Sequence, residues 1–176
     1  HLCAERGVSV VHCPESNLQL ASGFCPACAL ERAGVTLAIG TDGCASNNDL
    51  DMFGETRTAA LLAKAVANDA AGFDAFSALR AATLGGAKAL GWDERIGSIE
   101  PGKQADLVCI DLSPLETQPL HHVVSQLVYA TGRQQVNDVW IAGSRKLRER
   151  ELVDMDAAAI VANARQWRER IAAIGR

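Results

Sequence analysis

Asp42 lies in Gly40-Thr41-Asp42-Gly43, directly after the apolar run at 35–39. A run apolar on both faces reads as a strand covered on both sides, and the C-terminal ends of such strands are where parallel α/β proteins gather ligands and catalytic groups. A carboxylate there can hold a metal ion or take a proton. A turn or helix-capping aspartate has the same local pattern, and spacing alone leaves both readings open.

The other chemistry-bearing residues are weaker candidates. His12 closes a second short β-branched run at 8–11, where it invites assignment as a ligand, although a lone histidine more often packs or hydrogen-bonds at a pocket wall. Ser46, Asn47 and Asn48 follow Asp42 in a polar loop that either lines a substrate pocket or caps the next helix. Asn47, Asp49 and Asp51 alternate like part of a calcium loop, but Met52 stands where the sharp turn needs glycine. Cys25-Pro26-Ala27-Cys28 has the spacing of half a zinc site or a redox pair, yet no second pair follows. His121-His122 reads as a solvated turn, and His1 opens the chain without context.

Positioning Asp42 requires a scaffold, and the chain spells one out. The run at 8–11 predicts a buried strand that stops at Pro14, which bars further ladder hydrogen bonds. A polar loop through Glu15, Ser16 and Asn17 is expected next, then a short helix from Cys28 to Arg32 ended by Gly34, then the strand at 35–39. A long helix is expected from about Phe53 to Ala67. A second runs from Asp74 to Leu90, with Phe76, Leu79, Thr83, Ala87 and Leu90 on one stripe, Asp74 as N-cap and Gly91 as stop.

From Ile96 the texture changes to turns and short strands, expected at 105–111, 123–129 and 136–142, with Gly143-Ser144 turning the chain back. An amphipathic helix from Asp156 to Ile174 closes the chain, with Ile160, Ala164, Trp167 and Ile171 on one face.

A composition that is 48% hydrophobic supports a real core. The net charge of −4 comes with interspersed acids and bases, which argues against nucleic acid or an anionic membrane and favours a small-molecule partner. No apolar run approaches the roughly 20 residues a membrane span needs, and the first residues lack a secretory pattern. With six cysteines in a chain of this size, reduced thiols and a cytoplasmic setting are expected.

Three long motifs carry a resemblance: HCPESNLQLASG at 12–23, GTDGCASNNDLD at 40–51 and IGSIEPGKQAD at 96–106. In order and spacing they resemble the amidohydrolase superfamily, and within it the methylthioadenosine/S-adenosylhomocysteine deaminases. The resemblance implies an α/β fold: the C-terminal part of a (β/α)8 TIM-like metal-dependent hydrolase barrel plus part of a small composite β-sandwich. Residues 1–93 would be the last two strand and helix units of the barrel, 94–153 the sandwich part and 154–176 the terminal helix. The run at 8–11 would be barrel strand seven, and that at 35–39 strand eight.

On this map Asp42 binds one divalent metal, most often zinc, and takes the proton of the attacking water. The motif does not use His12 as a ligand. The family's His-x-His pair, its further metal-binding histidine, its proton-moving glutamate and an additional catalytic histidine belong to earlier strands. None has a counterpart here, so the chain is expected to be an incomplete fragment, inactive alone. Cys44 replaces a more usual alanine as a small hydrophobe.

The implied activity is hydrolytic deamination of S-adenosylhomocysteine or 5'-methylthioadenosine, with Asp42, His12, Ser46 and Asn47 as candidate substrate-site residues. A homo-oligomer is implied when full length. Related alternatives are a guanine or 8-oxoguanine deaminase or a triazine chlorohydrolase. A different class of reading is a non-enzymatic thiol or zinc module at Cys25 and Cys28.

Overall fold

The computed structural model describes residues 2–174. In chain order the elements are α1 (Leu2–Glu5), β1 (Val10–His12), α2 (Pro14–Gln19), α3 (Ala27–Arg32), β2 (Leu37–Ile39), α4 (Met52–Ala67) and α5 (Ala75–Arg80). A π-helical turn (Ala81–Gly85) then leads into α6 (Gly86–Ala89) and β3 (Leu107–Ile110). These are followed by α7 (Val123–Tyr129), β4 (Val136–Ile141), β5 (Ser144–Arg148), β6 (Glu151–Leu152) and α8 (Ala157–Ile174). His1, which the sequence left without context, lies outside the described residues.

The content is mixed α/β, in two sheets. β1 and β2 pair in parallel, with Val10 opposite Leu37 and His12 opposite Ile39, and the crossover between them carries α2 and α3. All three β2 residues are buried, as a doubly covered strand should be. β3, β4, β5 and β6 form an antiparallel meander.

The core between β2 and the helices is built from small side chains. Ala59, Ala60 and Ala63 of α4 meet Ala75, Ala78 and Ala81, with Leu37, Ile39, Phe73 and Val128 filling between them. Asp74 caps α5 as expected, its carboxylate accepting from Ser77 N at 2.9 Å. Of the apolar stripe expected along this segment only Ala87 is buried, with Leu79 packed partly against the core: Phe76 is 62% exposed and Leu90 70%, whereas Ala75, Ala78 and Ala81 face inward. Close approach explains the choice. A Cβ at Gly85 would lie 2.1 Å from the Leu37 carbonyl oxygen, so only small residues let this segment meet β2.

Two further expectations are corrected. The polar stretch after His12 is helix α2 rather than a loop, started by Pro14, whose fixed φ and missing N–H suit a first helical turn. The β-branched stretch at 123–129 is helix α7 rather than a strand. The His122 side chain caps it by accepting from Ser125 N at 3.1 Å, and Val128 buries into the helical core. Packing has overridden local β propensity there. The expected helix at the C-terminal end is present as α8, but none of its residues is buried.

Arg57 on α4 donates to the Thr131 carbonyl at 2.7 Å, and Arg133 donates to the Asp49 carbonyl at 2.8 Å. These bonds tie the stretch after α7 to α4 and to the loop that leads into it.

Candidate active site

β1 and β2 run side by side and end together, since Gly40 N donates to the His12 carbonyl at 3.0 Å. Just past that point Asp42 adopts a left-handed backbone conformation, φ 62°. Aspartate is among the few residues with a side chain that tolerate this region, and the turn lifts the carboxylate off the strand end.

Two hydroxyls converge on one oxygen of that carboxylate. Ser16 Oγ, from α2, and Ser46 Oγ, from the following loop, each donate to Asp42 Oδ2 at 2.8 Å. Together with the Gly43 N–H, and with Ser46 contributing most, they hold the Asp42 carboxyl below its ordinary range. Asp42 remains exposed and anionic at neutral pH, with Oδ1 left to other partners.

His12 is buried at the end of β1, 6% exposed, and its Nδ1 has no hydrogen-bond partner among the described residues. Burial lowers its pKa and favours the neutral imidazole. Ser46 is buried against Asp42, whereas Asn47, also buried, turns the other way. Its Nδ2 donates to Glu55 Oε1 and its Oδ1 accepts from Leu50 N at 2.8 Å and Asp49 N at 3.3 Å. The capping role considered for Ser46, Asn47 and Asn48 falls instead to Asp51, which accepts from Phe53 N at 2.9 Å. Cys28 is a buried core residue whose thiol donates to the Ala63 carbonyl at 3.4 Å, and burial raises the Cys25 thiol pKa.

Two neighbours of the site went unassigned at the level of sequence. Ser16 sat in a stretch read as a loop, and its partner is 26 positions away. Glu55 is fully buried on α4 and accepts from Asn47 and from Glu15 N at 3.1 Å. Burial, foremost, pushes its carboxyl up to about 7. A signal for Glu55 did exist: it shares the helical stripe of Ala59 and Ala63, so an acid stood on an otherwise small, apolar face.

The donor set fits a divalent metal only as part of a larger set. Asp42 offers an anionic carboxylate oriented by two hydroxyls, as a ligating oxygen requires. Among the described residues there is no group of three or more His, Cys, Asp or Glu side chains placed to hold an ion, so further ligands would have to come from outside them.

A parallel strand pair that delivers an oriented carboxylate at its C-terminal end is an arrangement that α/β proteins use to gather ligands and catalytic groups. The chain belongs to the amidohydrolase family, whose sequence pattern matches residues 1–146. It is 53% identical over 172 residues to a 5-methylthioadenosine/S-adenosylhomocysteine deaminase of Teredinibacter turnerae, covering 98% of this chain and 39% of the relative. It is 47% identical to the protein so named in Halobacterium salinarum, again over 98% of this chain and 39% of the relative.

Among solved structures, an adenosine deaminase from Xanthomonas campestris with bound zinc matches at TM-score 0.97 and 80% identity, over 98% of this chain and 39% of that one. An atrazine chlorohydrolase from Arthrobacter aurescens complexed with zinc matches at TM-score 0.85 and 29% identity, over 91% of this chain and 36% of that one. The chain therefore spans well under half the length of the relatives it matches.

Proposed function

We propose that this chain is the C-terminal part of a zinc-dependent hydrolase that deaminates an adenosine-type nucleoside, S-adenosylhomocysteine or 5'-methylthioadenosine, with Asp42 as metal ligand and proton acceptor. The observation that carries the reading is the Asp42 carboxylate itself, lifted off the end of β2 and oriented by Ser16 and Ser46 through one oxygen. The names borne by the relatives at 53% and 47% identity, and the bound zinc of the neighbours, support the substrate class and the metal.

A bound divalent ion supplies the charge that makes water acidic near neutral pH. Hydrolysis forms a C–O bond at the purine carbon bearing the exocyclic amine and breaks its C–N bond, releasing ammonia. In this reading Asp42 accepts the proton of the attacking water, which its anionic state permits. Ser16 and Ser46 keep the accepting carboxylate in place. His12, kept neutral by burial, forms pocket wall rather than ligand, and Ser46 and Asn47 shape the loop beside the substrate.

The same reading assigns residues 1–93 to the last two units of a (β/α)8 barrel, supported by the parallel β1–β2 pair. It assigns 94–153 to the β-sandwich part, supported by the antiparallel meander, and 154–176 to a terminal helix. A cytoplasmic setting is supported by six free cysteines, and homo-oligomer formation by the apolar residues that α8 exposes. No helix of the described residues is long and apolar enough to cross a membrane.

The test uses a hybrid in which this chain replaces the matching stretch of the Xanthomonas campestris adenosine deaminase. Asp42→Asn should lower kcat by at least about a thousandfold, since the amide is neutral and cannot take the proton. His12→Ala should be milder, and equal losses would remove the distinction between ligand and wall. In the full-length gene product, kcat/KM should be highest for S-adenosylhomocysteine or methylthioadenosine, and low for adenine, which lacks the remote binding groups. Guanine or a triazine as best substrate would move the protein to another branch of the family.

A further inference from the structure

Glu55 is completely buried, yet no lysine or arginine among the described residues pairs with it. An uncompensated buried carboxylate is costly, and an apolar side chain on this alanine-rich face of α4 would pack without that cost. It is not a helix cap, because Asp51 already fills that role for α4.

Where its two oxygens go is informative. Oε2 accepts from Glu15 N at 3.1 Å, 40 positions back in the chain. Oε1 accepts from Asn47 Nδ2, and Asn47 is itself pinned from its other end by the Leu50 and Asp49 N–H groups. Glu15 directly precedes Ser16, and Asn47 directly follows Ser46. The two hydroxyls that meet on Asp42 Oδ2 therefore each sit one residue from a group that Glu55 holds. A second strut from the same helix reinforces one arm, Thr58 Oγ1 donating to Glu15 Oε1 at 2.9 Å.

We propose that Glu55 is a positioning residue for Asp42: by clamping the start of α2 and the loop after β2 to one buried side chain, it sets the separation at which Ser16 and Ser46 converge on a single carboxylate oxygen. The inference rests on the reading of Asp42 as the metal-binding and proton-accepting carboxylate. Glu55 touches neither substrate nor metal and acts only through the two serines. Its burial among N–H donors, rather than beside a cation, is what such a clamp needs, because each oxygen must accept from a different chain segment.

The experiment compares variants of the hybrid enzyme at full zinc loading. Glu55→Gln keeps the shape but turns an amide donor toward one of the two donors, so one arm is lost. The expected result is a fall in kcat and in zinc affinity of about ten- to a hundredfold, with KM little changed, as for other groups that orient a metal ligand. In the cobalt-substituted protein the visible absorption should shift, a signature that lost stability alone would not give. In a Ser16→Ala/Ser46→Ala background, Glu55→Gln should cause no further loss, because the path through which it acts is already gone.

Asn47→Ala severs the arm to the loop after β2 without altering the buried charge and should change kcat and the cobalt spectrum in the same direction, which covers a Glu55 variant that does not fold. Parent-like kcat and cobalt spectrum in both variants, or a Glu55→Gln loss that adds in full to the serine double variant, would overturn the inference. Asp42→Asn run in parallel separates the two readings. If it keeps turnover, the catalytic reading itself fails; if it is inactive while Glu55→Gln and Asn47→Ala are fully active, only the positioning role falls.

Discussion

The Ser16 hydroxyl donates to Asp42 Oδ2 at 2.8 Å, joining the first turn of α2 to the end of β2 across 26 positions of chain. Ser46 reaches the same oxygen at the same distance from only four positions away. Removing either hydroxyl leaves the carboxylate with one tether. Ser16→Ala and Ser46→Ala should each weaken zinc binding by about tenfold, with a fall in kcat, as is usual when a group orienting a ligand is deleted. Chelator competition on the hybrid enzyme measures the affinity, and an unchanged value for the double variant would show that the tethers do not matter.

The buried Glu55 carboxyl gives stability a pH dependence of definite sign. Its pKa is raised from 4.5 to about 7, so within that window the folded state binds more protons than the unfolded chain. The contribution is absent below the unfolded value, becomes destabilising as pH rises through the window, and is complete above about 7. Thermal unfolding of the hybrid should therefore show Glu55→Gln gaining on the parent between about pH 5 and pH 8, then running parallel to it. A difference in Tm that is flat across this range would mean that Glu55 is ionised throughout.

Gly85 and Gly86 are adjacent glycines with opposite expectations. A Cβ at Gly85 would lie 2.1 Å from the Leu37 carbonyl, whereas one at Gly86 meets nothing within 4 Å. Gly85→Ala should destabilise by about 1–3 kcal/mol or more, because backbone must move off β2. Gly86→Ala, at a helical φ of −60°, should stabilise by about 0.5–1 kcal/mol. Denaturant midpoints of the two variants check both signs at once.

Residues 1–176 expressed alone should release no ammonia from adenosine-type substrates, since a catalytic zinc site takes about three protein ligands and Asp42 supplies one. The isolated chain should also self-associate. β1 has only β2 as partner among the described residues, Val11 on it is exposed, and Ile160, Trp167 and Ile171 are exposed on α8. Sedimentation and an ammonia assay test these points, and a monodisperse, cooperatively unfolding monomer would count against the barrel reading.

What the sequence determined alone was local. The doubly apolar run ending at Gly40-Thr41-Asp42 marked both a covered strand and the carboxylate at its end, because burial pattern and the polar break after it are written in consecutive residues. The long helix over 52–67 and the Asp74 cap were legible for the same reason. Tertiary structure decided what depends on distant partners. It buried Ala75, Ala78 and Ala81 and left Phe76 and Leu90 of the expected stripe exposed, because β2 admits a helix at that distance only with no side chain at Gly85. It made a helix of the β-branched stretch at 123–129, because Val128 had a helical core to fill. It brought Ser16 and Glu55 to the surroundings of Asp42 over 26 and 40 positions, through hydrogen bonds to Asp42 and Glu15. Hydrogen bonds of that span leave no periodicity in a sequence. They exist only once β1 and β2 lie side by side and α4 has packed against β2 and α2.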